Sequence, residues 1–337
     1  MTSPNLFAVA AHQAQSGADL SVEQTSELID TMLRGEASDD DIAALLLALK
    51  DKGESVSELV GASQAMRRHM TRIPHHHDVL LDTCGTGGSG SGTFNISTAV
   101  AIVAAACGVA VAKHGNRKAT SLTGSADVLE VLGVKIESDA EGVAERLDSI
   151  GICFCFAAKL HPAMRHVVGV RRKLGVKTLF NLLGPLCNPA GATHQLLGTS
   201  SVDAQNKVAS AISQLGTIRS FVVHSSDGQD EVSLAGTANI IEVGGDQSKT
   251  HAFTADDFGL PSVDAQSLAA ADPTESAAII ESIFAGQPSP CRDTVLAGTA
   301  TALLLVGKVS DVAQGVTMAA EAIDGGQALA KLEALRS

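Results

Sequence analysis

Residues 79–107 read Val79-Leu-Leu-Asp-Thr-Cys-Gly85-Thr-Gly87-Gly88-Ser89-Gly90-Ser-Gly92-Thr93-Phe-Asn95-Ile-Ser97-Thr98-Ala-Val-Ala-Ile-Val-Ala-Ala-Ala-Cys107. An apolar strand, Val79–Leu81, runs into five glycines within residues 85–92, and a helix over Asn95–Cys107 follows. Glycines let backbone N–H groups approach an anion closely, and the next helix aims its N-terminus at the same place. Thr93, Asn95, Ser97 and Thr98 add side-chain donors there. Five glycines exceed what a simple strand-to-helix turn requires.

A second strand, Val109–Ala112, ends in Lys113-His114-Gly115-Asn116-Arg117. Gly85-x-Gly87-x-x-Gly90 matches the dinucleotide fingerprint, but that fold wants an acidic residue at the end of this strand, and here the end is basic. No Gly-Lys-Ser/Thr closes the loop, which excludes the nucleoside-triphosphatase pattern. Two phosphate-friendly strand ends side by side suit a substrate carrying several phosphates. Lys113 and Arg117 offer cations, and Ser121 and Ser125 offer hydroxyls.

Further strands are expected at Ile152–Phe156, Gln195–Gly198, Phe221–His224 and Ile240–Val243, mostly separated by helical patterns. The fold class is therefore α/β, a mainly parallel sheet flanked by helices, with ligands beyond the carboxyl ends of the strands. Upstream, the first 70 residues read as three short helices. Ser21-Val-Glu-Gln24 and Ser55-Val-Ser-Glu58 are capping boxes, and Ser38 before Asp39, Asp40 and Asp41 is a third start. These helices form a smaller all-helical domain over residues 1–73. The stretch 161–189 reads as two helices with no strand between them, His161–Arg172 being the first. It is expected to pack back onto that domain, leaving 74–160 and 190–337 as the α/β domain. His75-His76-His77 follows Pro74 at the junction and reads as linker.

Asp227-Gly-Gln-Asp230-Glu231 follows a strand. Adjacent carboxylates are hard oxygen ligands suited to a magnesium ion that keeps waters and bridges to substrate phosphates. The chain has 337 residues, 45% hydrophobic and 18% charged, so it is globular. Without Trp or Tyr, its core must be built from Ala, Val, Leu and Ile. A net charge of -13 argues against nucleic acid or anionic lipid as partner. The longest apolar stretch, Thr98–Ala112, is too short to cross a bilayer, and residues 1–20 lack a signal-peptide pattern. Six cysteines without metal-ligand spacing, with Cys153 and Cys155 on one face of a strand, suit a reducing cytoplasm.

Taken in order, Gly-Thr-Gly-Gly…Phe-Asn-Ile-Ser-Thr, Lys-His-Gly-Asn-Arg, Gly-Ser-Ala-Asp-Val-Leu-Glu, His-Pro-Ala-Met-Arg-His, Phe-Asn-Leu-Leu-Gly-Pro-Leu and Asp-Gly-Gln-Asp-Glu closely resemble the anthranilate phosphoribosyltransferase family, over residues 20–330. The resemblance implies a nucleoside phosphorylase/phosphoribosyltransferase-like fold. It also implies transfer of phosphoribose from phosphoribosyl diphosphate (PRPP) to the amine of anthranilate, in tryptophan biosynthesis. By the same resemblance, Gly85, Gly88, Ser89, Thr93, Asn95, Ser97, Thr98, Lys113, Ser121 and Ser125 would hold PRPP. Gly85, Asn116 and Arg171, with His114 close by, would meet anthranilate. Ser97, Asp230 and Glu231 would bind Mg2+, two ions per subunit, and a homodimer would join through the helical domains.

The sequence departs from the family in having Ser89 where Asp is usual and Gly298 where Asn is usual. Two rivals stand beside this reading: a pyrimidine nucleoside phosphorylase and a nucleic-acid-binding, non-catalytic relative. The Lys113–Arg117 loop and the Asp230-Glu231 pair weigh against the first, and the acidic net charge against the second.

Overall fold

The computed structural model describes residues 5–87, 90–118, 123–244 and 247–337. Four helices open it: α1 (Leu6–Gln15), α2 (Val22–Leu33), α3 (Asp39–Lys52) and α4 (Val56–His69). Ser21 with Gln24 and Ser55 with Glu58 form reciprocal capping boxes, and the Ser38 hydroxyl accepts the Asp41 N–H at 3.1 Å. Helix α1 makes four where the sequence suggested three. Its cap is Asn5, and the face it buries is Phe7 with Ala10, Ala11 and Ala14. So small a face gives little hydropathic contrast.

β1 (Leu81–Gly85), α5 (Ile96–Ala106), β2 (Val111–Gly115), α6 (Ser125–Val131), α7 (Ala140–Ile150) and β3 (Ile152–Phe156) follow. β3 matches its expected bounds. β1 and β2 each begin two residues later than the apolar letters suggested and continue through polar ones. Asp82, Thr83, Lys113 and His114 are buried strand residues. The basic stretch after the second strand is thus partly inside it.

Next come α8 (Ala157–Leu160), a 3-10 turn at Pro162–Met164, α9 (Arg165–Leu174), α10 (Phe180–Leu183) and a 3-10 turn at Gly184–Leu186. The helix expected over His161–Arg172 is broken at its start, because Pro162 has no N–H to continue α8. α9 packs on α2 and α3, and α10 on α4. Val167, Val170, Leu179 and Leu183 share one apolar core with Leu28, Ile29 and Leu59.

β4 (His194–Gly198), α11 (Val202–Leu215), β5 (Arg219–Ser225), β6 (Ala238–Gly244) and β7 (Gln247–Phe253) complete the sheet. Its order is β3-β2-β1-β4-β5-β6-β7. β3 through β5 in that order pair in parallel, while β6 and β7 add an antiparallel edge. β7 was not expected from the sequence, because its Gln-Ser-Lys-Thr run carries no apolar alternation.

α12 (Ala255–Phe258), α13 (Pro273–Phe284), α14 (Pro290–Leu305), α15 (Val312–Asp324) and α16 (Gln327–Arg336) end the fold. Together with the sheet, α14 and α16 enclose α5, whose residues from Ala99 to Ala105 are all buried. Gly298 explains how α14 comes so near: a Cβ there would stand 2.7 Å from Val100 Cγ2. All six cysteines are free, and the buried thiols of Cys153 and Cys155 lie 3.9 Å apart. Among the described residues no helix is long and apolar enough to cross a membrane.

Candidate active site

Strand order reverses between β1 and β4, because the chain moves outward from β1 to β2 and β3 and then returns to β4 on the other side. Such a switch point opens a crevice at the carboxyl ends of the strands. Gly85 and Gly198, the last residues of β1 and β4, are paired there, and the Thr86 N–H donates to the Gly198 carbonyl at 2.9 Å. The first turn of α5 faces the same crevice with Ser97, which lines it together with Thr83, Cys84, Gly198, Asp230 and Glu231.

The Thr83 hydroxyl donates to the Ser97 carbonyl at 2.9 Å, fixing β1 against α5. Asn95 occupies the N-cap position without making a cap bond. Its N–H donates to the Ser276 hydroxyl at 2.9 Å, and its Oδ1 accepts that hydroxyl's proton at 3.0 Å. Thr93 shares a 3.3 Å contact with Ser91, and the buried Thr98 hydroxyl has no hydrogen-bond partner among the described residues. Gly88, Ser89 and Ser121 lie outside the described residues.

Lys113 reaches across the strand ends. Its Nζ donates to the Thr83 carbonyl at 2.5 Å and to the Ser97 hydroxyl at 3.2 Å. Burial pushes its ammonium below the ordinary lysine value, and Asp82, Cys84 and Glu231 counteract part of that. Asp82 is its buried counterpart, raised by desolvation and supported by donors from Asn188 and the His114 N–H. Neither Asp82 nor Asn188 stands out in the sequence.

Asp230 and Glu231 sit in the turn after β5. Ser225 braces it by donating to the Glu231 carbonyl at 2.7 Å, and Asp227 accepts from both Gln229 and Ser233 at 2.7 Å. Asp227 therefore shapes the turn, while Asp230 and Glu231 face the crevice. Desolvation, then the charge of Asp230, pushes the Glu231 carboxyl up to about 8. Neither carboxylate is in an ion pair among the described residues. Among those residues no group of three or more His, Cys, Asp or Glu converges. Two carboxylates and the Ser97 hydroxyl fit Mg2+, which retains waters and takes its other ligands from phosphate.

His114 points to the opposite side of β2. Its Nδ1 donates to the Gly184 carbonyl at 3.0 Å, so its Nε2 is the lone-pair nitrogen, 3.2 Å from Nε2 of His161. Burial holds His114 near 4, and burial with His114 alongside holds His161 near 3. In the sequence His161 signals only the start of a His-Pro helix motif, and nothing local marks it as a partner of His114. Asn116 is exposed, and its carbonyl accepts from the Ser125 hydroxyl at 3.4 Å.

Arg117 is held by acidic neighbours. Glu130 grips it through both guanidinium nitrogens, with Asp127 nearby, and it lies over the Phe156 ring. Arg171, half-buried on α9, lies over the Phe180 ring and reaches Asn181 at 3.5 Å, whereas Arg172 is exposed. Burial lowers the Arg171 guanidinium, and no carboxylate pairs with it among the described residues.

The family described as glycosyl transferase family, a/b domain, matches residues 77–329, and that described as glycosyl transferase family, helical bundle domain, matches residues 12–70. The chain is 66% identical over 335 residues to anthranilate phosphoribosyltransferase of Rhodopirellula baltica, covering 99% of this chain and 98% of the relative. It is 45% identical over 320 residues to that of Moorella thermoacetica, covering 95% and 94%. The crystal structure of anthranilate phosphoribosyltransferase from Thermus thermophilus matches with a TM-score of 0.90 at 41% identity, over 97% of this chain and 99% of that one. The Saccharomyces cerevisiae protein in complex with PRPP and Mg matches with a TM-score of 0.89 at 27% identity, over 99% and 97%.

Proposed function

The chain belongs to the anthranilate phosphoribosyltransferase family, and from that membership and the crevice geometry we infer that it transfers phosphoribose from PRPP to the amine of anthranilate. The products are N-(5-phosphoribosyl)anthranilate and diphosphate, in tryptophan biosynthesis. The observation that carries the reading is the meeting of Ser97, Asp230 and Glu231 in one crevice at the ends of β1 and β4. That is a carboxylate pair set beside a phosphate-binding loop.

In this proposal Gly85, Gly88, Ser89, Thr93, Asn95, Ser97, Thr98, Lys113, Ser121 and Ser125 hold PRPP. Backbone amides at the N-terminus of α5 take the diphosphate, helped by the helix dipole. Ser97, Asp230 and Glu231 would hold Mg2+, which would supply positive charge against the leaving diphosphate. Lys113 adds a positive charge beside the crevice. Arg171 pairs with the anthranilate carboxylate, and Gly85, Asn116 and His114 frame the amine. An aromatic amine is nucleophilic once oriented, so the chain's contribution there is alignment rather than strong base.

Two Mg2+ per subunit, a cytoplasmic location and a homodimer belong to the same proposal. The six free cysteines support the location. Leu6 and Val9 on α1 and Leu47 on α3 are 41%, 49% and 37% exposed on two helices packed together. This supports a dimer joined through a helical body made of residues 1–73 with 161–189. The phosphorylase and nucleic-acid readings are favoured by none of the comparisons.

The deciding experiment incubates the protein with PRPP, anthranilate and Mg2+ and follows loss of anthranilate fluorescence. Turnover that disappears without Mg2+ is expected. No turnover, with phosphorolysis of a pyrimidine nucleoside or a gel shift of nucleic acid at physiological salt instead, overturns the assignment.

A further inference from the structure

The segment from Gly184 to Ala190 carries the chain from the inserted helices to β4, and its carbonyls are held one by one. Gln195 Nε2 donates to the Pro185 carbonyl at 2.7 Å, Arg67 Nε to that of Leu186 at 2.8 Å, and the Ile73 N–H to that of Pro189 at 3.1 Å. Asn188 uses its whole side-chain amide. Its Nδ2 donates to Asp82 Oδ2 and to the Ala112 carbonyl, and its Oδ1 accepts the Ala190 N–H, each at 2.8 Å.

The other oxygen of Asp82 accepts the backbone N–H of His114 at 3.0 Å, while the His114 imidazole donates to the Gly184 carbonyl at 3.0 Å. The bonds close a circuit: His114 backbone, Asp82, Asn188, the 184–188 backbone, and back to the His114 ring. Asp82 and Asn188 are buried, so a bond broken in the circuit is not replaced by one to bulk water. Neither side chain lines the crevice that holds Asp230 and Glu231.

We propose that Asp82 and Asn188 are positioning residues for the acceptor side of the reaction, fixing through the Gly184 carbonyl the orientation and tautomer of His114. The proposal rests on the reading that His114 meets the acceptor. An imidazole with Nδ1–H bound to a fixed carbonyl points its Nε2 lone pair one way only, here at Nε2 of His161 3.2 Å away, so what the Gly184 bond sets is the ring plane and the face it offers. If the carbonyl moves, the ring loses both its direction and its preference for one tautomer.

The test is Asn188→Ala, read two ways. Long-range 1H–15N spectra of 15N-histidine-labelled protein are expected to show wild-type His114 as the Nδ1–H tautomer and the variant as a mixture. The Michaelis constant for anthranilate is expected to rise at least ~10-fold, with that for PRPP within about twofold, as for losing an outer-shell partner. A variant whose melting temperature falls while the tautomer and both constants stay unchanged overturns the proposal. If Asn188→Ala does not fold, Gln195→Met loosens the same segment and is read identically. His114→Ala separates this idea from its premise. An unchanged anthranilate constant there removes His114 from the acceptor site, while the tautomer spectra still decide whether Asn188 positions it.

Discussion

A Cβ placed on Gly198 would stand 1.7 Å from the carbonyl oxygen of Asp230. The end of β4 is therefore the surface on which the carboxylate turn rests, and only a residue without a side chain permits that approach. Gly85 lies alongside, where a Cβ would be 3.4 Å from Asp230 Oδ2.

Gly198→Ala is accordingly expected to displace the Asp230-Glu231 turn and to lower kcat at least ~10²-fold, the usual consequence of a misplacement near 1 Å. Stability should fall by about 1–3 kcal/mol, as for overpacking. Gly169→Ala, on α9 with open space around it, is the control and should leave turnover unchanged. Urea unfolding and steady-state rates for both variants check this; a fully active Gly198→Ala shows that the turn tolerates movement.

Asp230→Asn combined with Glu231→Gln is expected to leave the fold intact and to reduce turnover at least ~10²-fold, the scale of losing a preorganised charge stabiliser. The amides keep the shape of the turn but not the charge that Mg2+ requires. Circular dichroism and a Mg2+ titration of activity check the two halves. Near-normal turnover in Mg2+ would remove both residues from the metal site.

Arg171→Ala should raise the Michaelis constant for anthranilate at least ~10-fold, the order expected for a lost charge-assisted contact. The PRPP constant should move far less, and Arg172→Ala should be nearly silent. Consecutive residues on a helix diverge by roughly 100°, and the structure has Arg171 against Phe180 with Arg172 exposed. Steady-state kinetics of the two variants decide it, and an effect confined to Arg172 reverses the assignment.

Burial holds His114 near 4 and His161 near 3, both below the ordinary 6.5. The unfolded chain takes up a proton at each as pH falls below 6.5 while the folded chain does not, so stability present above 6.5 is lost toward acid. Between pH 6.5 and about 5, each imidazole withdraws about 1–2 kcal/mol. His161→Gln should therefore flatten the acid limb of a plot of urea midpoint against pH. An acid limb identical to that of wild type means His161 protonates freely in the fold.

The sheet and its ligand end were legible in the sequence because glycines and β-rich runs advertise themselves. Polar residues inside strands were not. Lys113 and His114 look like loop until the Thr83 and Gly184 carbonyls are seen to accept hydrogen bonds from them. Gly198 was visible only as the end of a strand, since nothing in its neighbours says that residue 230 will rest on it. Arg117 is the opposite case, because the Glu130 carboxylate that holds it stands on α6, 13 residues further along the chain. Side-chain neutralisation of that kind is a property of three-dimensional placement, and no local spacing reports it.

Arg171 and the segment reaching Gly184 belong to the helices inserted between β3 and β4, whereas Lys113, Asp230 and Glu231 hang from the sheet itself. Two evolutionary clocks can run in such a molecule. On the proposed assignment, substitutions in residues 157–183 would change the partner offered to the acceptor's carboxylate while the residues assigned to PRPP and Mg2+ stay constant. A randomised library confined to that insertion is the economical place to seek variants that accept other aromatic amines, and losses of PRPP handling among them should be rare.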